Sequence, residues 1–404
     1  MVIILSDTEY EIDLLRRLVS IKSISGNGKA YSEISKIIKQ ELEKLRFDVH
    51  ILDGNEEAKD GIPRPNIVGI KNIGANKTLG LLTHYDVVPP GDGWKTDPFN
   101  LTISEKQGEI RAYGRGAADD KGCIAAALGA LRKIINKEKK LQWNIVFMSV
   151  ADEEIGGRFG AGYVARKHMV DLDALIVLDA SSLGLVIGAS GIVHGQIIIH
   201  GKSGHAGYIF GSENALHRAI IFLNNFLSFI NFRSTKLSKL KNMGNIPIPN
   251  LWGRFSFTWI KTPTYTYNIV PSDVIIGFDM RLIPEENVDT ALAELKSYFE
   301  MTKYRTSIYD VELKIIRAFP GYATSENNEF IKDAHKALLD ATGRKLPIIG
   351  MLGGNDGGWF RDYNIPMVSF GVWDEKSNIH GANESVSLKK ILELEQFLAN
   401  LILG

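Results

Sequence analysis

Five segments of the chain put side chains that ligate metals where a strand should end or a loop should turn. His84 follows the apolar pair Leu81-Leu82, and Asp86 lies two residues on. In extended chain these two share a side, so the Asp86 carboxylate can hydrogen-bond the far nitrogen of a ligand histidine and fix its tautomer. Asp119 and Asp120 sit in a glycine-flanked loop, Gly114 to Gly122, ahead of a helical pattern. Such a loop lets backbone approach a ligand closely, and a phosphate cradle is one reading of it. It lacks the Lys-Ser/Thr ending of a P-loop and the spacing of a dinucleotide fingerprint, so the paired acids point to a cation instead. Asp152, Glu153 and Glu154 follow the apolar run Ile145 to Met148, and their mutual repulsion calls for a neutralising cation. Asp179 ends the run Ala174 to Leu178, and His380 precedes the last helical segment.

Taken singly, each segment has a plainer explanation: a surface histidine, a capping aspartate, a solvated acidic loop. Together they are more specific. Ligands of open α/β sheets sit beyond the carboxyl ends of strands, where His84, Glu154 and Asp179 fall. Two imidazoles and three carboxylates exceed the three protein ligands of one catalytic zinc. They suit two divalent ions sharing one carboxylate. Three carboxylates and a bridging hydroxide then balance the four positive charges, which frees Glu153 to act as a base.

The elements that must position these residues can be read from periodicity. Helices are expected from a cap at Ser6/Asp7 through Leu18 and over Tyr31–Arg46. Short apolar runs at Asp48–Leu52, Asn66–Ile70, Thr78–Leu82, Asn144–Val150 and Ala174–Leu178 then alternate with helical segments at Lys121–Ile135 and Ala161–His168. That is the signature of an α/β layer structure. After Leu185 come two strand–helix–strand passes, with strands at Val193–His200, Asp273–Ile283 and Val311–Arg317 and helices at Glu213–Ile230 and Glu285–Phe299. They read as a compact inserted α+β domain. A helix at Asn327–Ala341, a strand at Pro366–Gly371 and a helix at Ser387–Ile402 close the chain. The stretch Arg233 to Arg254 has loop character and reads as a solvated surface insertion.

Composition bounds the function. The 404 residues are 45% hydrophobic and 23% charged, with 47 basic and 47 acidic residues. Zero net charge argues against a partner held by a bulk basic field, such as nucleic acid. The single cysteine, Cys123, excludes an intrachain disulfide and fits a reducing compartment. The start Met1 to Leu5 lacks the basic region of a secretory leader. The longest apolar stretch, Ala219 to Phe232, is too short to span a bilayer and reads as a buried amphipathic helix. A cytoplasmic protein without membrane or nucleic-acid partners is expected.

The motifs His84 to Pro89, Gly114 to Gly122, Asp152 to Glu154, Asp179 and His380 occur in an order that resembles the co-catalytic zinc hydrolases. That family includes acetylornithine deacetylase, succinyl-diaminopimelate desuccinylase, aminoacylase, carboxypeptidase G and several dipeptidases. The resemblance spans nearly the whole chain. It implies an α/β catalytic domain with a mixed sheet, residues 1–190 and 316–404, interrupted by an inserted α+β dimerisation or lid domain, residues 191–315. It implies two divalent ions, zinc with cobalt or manganese as substitutes. Asp119 would bridge them, His84 and Asp179 would complete one site, and Glu154 and His380 the other. Glu153 would be the general base, Asp86 the partner of His84, and the Asp119–Asp120 peptide would be cis. His205, in Gly201 to Gly207, would reach the active site of the second subunit of a homodimer and stabilise an oxyanion. Asn268 and Arg281 would hold a substrate carboxylate, and Gly354 would line the pocket. The implied activity is hydrolysis of an N-acyl amino acid or short peptide. The Val87 to Gly91 run favours a deacylase, whereas Asp179 and Asp120 are more typical of dipeptidases and carboxypeptidases. A non-catalytic descendant keeping the fold as a binding module is the alternative from another class, and a nucleotide-binding protein using the Gly114 to Gly122 loop is a third.

Overall fold

The computed structural model describes residues 8–106, 108–136, 141–243 and 247–404. The expected cap at Ser6/Asp7 lies outside them. The chain divides into two units. The first comprises Met1–Gly188, Ala323–Ile349 and Asn355–Gly404, and the second Ala189–Tyr322 with Gly350–Gly354.

The first unit is built on a mixed sheet. Seven of its nine strands run in the order Asp48–Asp53, Pro65–Lys71, Asn144–Val150, Thr78–His84, Ala174–Val177, Met367–Ser369 and Leu185–Ala189. The central four, from Asn144–Val150 to Met367–Ser369, are parallel, and the flanking pairs are antiparallel. Thr78–His84 and Asn144–Val150 are buried nearly throughout. A parallel strand covered on both faces must be a continuous apolar run rather than an alternating one. Helix Lys121–Asn136 packs against Glu9–Ser20 and Leu388–Leu403, presenting buried Ile124, Leu128 and Leu131. Because the parallel strands point one way, the segments after His84, Val150 and Val177 emerge along one edge of the sheet. A separate three-stranded sheet joins Thr102–Lys106, Glu109–Tyr113 and Ser385–Ser387.

The second unit has a four-stranded antiparallel sheet in the order Arg254–Lys261, Asp273–Leu282, Gly191–His200 and Val311–Phe319. Helices Ala215–Ser234 and Val288–Thr306 pack on it through Phe222, Phe226, Phe229, Leu295 and Phe299. Asn214 and Asn287 cap these helices, each accepting two backbone N–H bonds, so both begin two to three residues later than hydrophobic periodicity suggests. The first helix is only half buried: Ile220, Ile221 and Leu227 face outward, contrary to the reading of a buried helix. The expected loop Arg233–Arg254 is also corrected. It contains the paired strands Leu237–Lys241 and Asn250–Trp252, whose lysines sit on exposed positions and mask the alternation. Among the described residues no helix is long and apolar enough to cross a membrane.

Candidate metal centre

Where the parallel strands end, His84, Asp119, Glu153, Glu154, Asp179 and His380 of the first unit come together. His84 closes its strand, its backbone N–H donating to Asp120 Oδ2 at 3.2 Å. Its Nδ1 lies 3.1 Å from the backbone carbonyl of Asp86 and 3.5 Å from Asp86 Oδ1. With Nδ1–H pointed at those oxygens, Nε2 is the free ligating nitrogen. It lies 3.0 Å from Asp119 Oδ1. The other oxygen of Asp119 lies 3.1 Å from His380 Nε2, which is also 3.1 Å from Glu154 Oε2. Asp119 thus stands between the two imidazoles, and the Asp119–Asp120 peptide is cis.

Two sets of ligating atoms result, each within 4.8 Å: His84, Glu153 and Asp179, and Asp119, Glu154 and His380. All six residues stand out in the sequence. His205, Asn268, Arg281 and Gly354 belong to the second unit. There, strand Gly204–His205 pairs with Ile269–Val270, and Ala206 donates to the Asn268 carbonyl at 2.9 Å, so His205 and Asn268 are neighbours. His205 is exposed and its Nδ1 accepts the Gly207 N–H at 3.0 Å, which puts the ring proton on Nε2. Arg281 Nε donates to Asp279 at 2.8 Å, and Asp279 also meets His194 Nε2 at 2.7 Å.

Electrostatics tests whether cations fit the centre. Burial pushes the carboxyls of Glu153, Glu154 and Asp179 upward, Asp179 to about 7, and the neighbouring carboxylates add to it. Asp119 goes the other way: burial opposes its charge, but hydrogen bonds from His380 and His84 outweigh it. His380 is raised to about 10 by Asp119 and Glu154. Three buried carboxyls thus resist ionisation at one place, a cost that divalent ions would offset, and a nitrogen–oxygen donor set of this kind suits zinc and its neighbours.

Asp152 corrects the reading of three acids neutralised by cations. It turns away from the centre in a left-handed conformation (φ 62°) and pairs with the buried Arg64, while Tyr31 Oη donates to it at 2.7 Å. Only Glu153 and Glu154 face the ligands. Their turn is held by Asp86, whose oxygens accept the N–H of Glu153 at 3.0 Å and of Glu154 at 3.3 Å.

The Gly114–Gly122 loop is indeed an anion nest, but the protein fills it with its own carboxylate. Glu384 Oε1 accepts the N–H groups of Ala118 and Asp119 at 2.9 and 3.1 Å. Its Oε2 accepts that of Gly116 at 3.0 Å and Arg115 Nη1 at 2.6 Å. Burial and nearby Asp119 push this carboxyl upward, yet all four neighbours are donors, which the ionised form alone satisfies. Gly116 takes φ 81°, and a Cβ there would lie 2.7 Å from Val87 Cγ1. No nucleotide reading survives in a nest that is already closed. Sequence reasoning missed Glu384, Arg115 and Asp152 as structural parts of the centre. The Gly-Arg-Gly sequence and a glutamate four residues after His380 were the available signals.

The profile of the peptidase family M20/M25/M40 matches residues 80–404. An uncharacterised metallohydrolase of Methanocaldococcus jannaschii is 29% identical, covering 96% of this chain and 97% of its own. Succinyl-diaminopimelate desuccinylase 1 of Alteromonas mediterranea is 30% identical over 84% of this chain and 86% of its own. Among solved structures, the dipeptidase Dug1p of Saccharomyces cerevisiae superposes with a TM-score of 0.80 at 18% identity, covering 99% of this chain and 96% of that one. With most of its length matched and its six candidate ligands gathered at one sheet edge, the chain belongs to the peptidase family M20/M25/M40.

Proposed function

We propose that this metal-dependent hydrolase of amide or peptide bonds removes the acyl group from an N-acyl amino acid, using two divalent ions, zinc foremost. The observation that carries the reading is the pair of clusters His84–Glu153–Asp179 and Asp119–Glu154–His380, with Asp119 Oδ1 3.0 Å from His84 Nε2 of the first; Glu153 is taken as the base, and Asp119 as the shared ligand in its place. His84, Asp119 and Asp179 would hold one ion, and Asp119, Glu154 and His380 the other. When bound, the ions supply Lewis acidity and a water of lowered pKa. Glu153, its pKa raised by desolvation, takes the proton of the attacking water and returns it to the leaving amine. His205 of a second copy offers its Nε2–H to the oxyanion. Arg281, whose Nε is engaged by Asp279, would present its remaining edge to the substrate carboxylate. Asn268, a neighbour of His205 at the other end of strand Asp273–Leu282, would meet the substrate together with His205, and Gly354 would line the pocket.

A homodimer fits this reading. Strand Arg254–Lys261 is a sheet edge with Trp259 and Ile260 exposed, and the outward Ile220, Ile221 and Leu227 extend the apolar surface. A cytoplasmic setting fits the single buried Cys123. A second reading, dipeptidase or carboxypeptidase, is supported by the structural likeness to a dipeptidase and by Asp120 and Asp179.

The test is amine release from N-acetyl and N-succinyl amino acids, dipeptides and N-blocked peptides, each with zinc and with chelator. Chelator-sensitive release from the acyl series alone is the expected result. Release from peptides alone would move the protein to the second reading. No release from any substrate by the metal-loaded protein would favour a binding module.

A further inference from the structure

The candidate ligands differ in how they are held. His84 ends a strand, Asp179 lies two residues past one, and Glu154 sits on a turn fixed by Asp86. Asp119 and His380 are carried by loops. The His380 loop needs three left-handed non-glycine residues, Asn378, His380 and Asn383, and the His380 side chain is 55% exposed. Its own packing does little to fix it.

Both loops meet one buried ion pair. Arg115 and Glu384 side chains are each 1% exposed and lie 2.6 Å apart. Glu384 collects the Asp119 loop through the backbone N–H groups of Gly116, Ala118 and Asp119. Arg115 Nη2 reaches the carbonyls of His380 at 3.3 Å, Gly381 at 3.1 Å and Pro90 at 3.2 Å. Pro90 comes shortly after the His84–Asp86 segment, so three ligand-bearing segments converge on two side chains. Trp94 covers the guanidinium at 5.3 Å.

We propose that Glu384, clamped by Arg115, is a positioning residue that sets Asp119 and His380 at the same time, and so bears more heavily on the Asp119–Glu154–His380 set, two of whose ligands it places, than on the ion that shares only Asp119. The inference rests on the dinuclear reading of the centre. A charged, planar partner is needed on each side. Lysine in place of Arg115 offers one point charge, unable to bond Glu384 and three carbonyls at once. Glutamine in place of Glu384 sets an amide donor against backbone N–H groups.

The experiment is metal uptake, independent of turnover. Metal-free wild type, Glu384→Gln, Arg115→Lys and His380→Ala are titrated with zinc against a chromophoric chelator. Cobalt(II) spectra report coordination at each step, and circular dichroism confirms folding. Wild type should bind two ions. Glu384→Gln should lose affinity for one ion about 10- to 100-fold, the range typical of residues that orient ligands, and weaken the other, which shares only Asp119, distinctly less. Its cobalt spectrum should resemble that of His380→Ala. Arg115→Lys should do the same, and carries the test if Glu384→Gln does not fold. Equal weakening of both ions, or no change in either, would overturn the selective role. Fewer than two ions on wild type would instead overturn the dinuclear reading itself and this inference with it.

Discussion

The carboxylate of Asp86 holds the backbone of Glu153, accepting its N–H at 3.0 Å. One side chain therefore touches both ends of the proposed chemistry, because Asp86 also lies against the Nδ1 face of His84. Ser25 Oγ donates to its second oxygen at 2.8 Å. Replacing Asp86 by Asn puts an amide donor where N–H groups must be accepted. With the ligands themselves intact, Asp86→Asn should lower kcat about 10- to 100-fold and change KM little. Steady-state kinetics beside a metal assay checks this, and a loss confined to KM would contradict it.

Metal uptake should be linked to protons. Asp179 is raised to about 7 chiefly by burial, and Glu153 and Glu154 are raised for the same cause. An unfolded Asp releases its proton near 3.8. Between that pH and about 7 the metal-free fold keeps a proton the unfolded chain has lost. Its stability must therefore fall as pH rises through that window. Ions compete with the same protons, so apparent affinity should climb from pH 6 to pH 8 with proton release on binding. Calorimetry in buffers of different ionisation enthalpy measures that release. An affinity flat across the range would remove the linkage.

Gly157 closes the turn that carries Glu153 and Glu154. It takes φ 64°, and a Cβ would fall 2.1 Å from Asp356 Oδ1 and 2.9 Å from Trp359 Nε1. Asp356 is buried and Trp359 half-buried on the same short helix, so the side chain in closest approach has little room to retreat. Backbone strain and overpacking add, so Gly157→Ala should destabilise the protein by about 3 kcal/mol. Denaturant unfolding gives the value directly, and wild-type stability would refute the steric account.

The ligand residues were legible because parallel strands are continuous apolar runs, and the polar side chains just past the end of each run are conspicuous: His84, Glu153-Glu154, Asp179. The support was not. Arg115 and Glu384 lie 269 positions apart in the chain, and nothing local pairs them. Asp152 reads like its two acidic neighbours until Arg64 is seen beside it. Strand Arg254–Lys261 escaped for a different reason. Its register shifts between Phe257 and Trp259, so the alternation begun by Phe255 and Phe257 changes phase midway. The cap at Asn214 comes after the glycine-rich stretch Gly201 to Gly211, where hydrophobic periodicity carries no information.

A buried acid pair outside the ligand set gives the last prediction. Glu11 and Glu395, on helices Glu9–Ser20 and Leu388–Leu403, face one another across Gly129: a Cβ there would lie 2.3 Å from Glu11 Oε1 and 2.7 Å from Glu395 Oε1. Both side chains are 5% exposed or less, and Lys133 is their cationic neighbour, 3.4 Å and 2.8 Å away. Burial, then the charge of Glu11, raises Glu395 to about 8. The folded pair thus holds a proton that an unfolded Glu, titrating near 4.5, gives up. This pair therefore favours folding at low pH, and that contribution is lost as pH rises from about 4.5 through about 8. Glu395→Gln supplies a permanent N–H donor in place of the proton. At pH 9 it should be more stable than wild type by on the order of 1–2 kcal/mol, the gain reduced by the weaker hold on half-exposed Lys133. At pH 5 the difference should vanish. Thermal melts of both proteins across that range decide it: a constant offset, or a variant less stable at pH 9, would mean the two carboxyls share no proton.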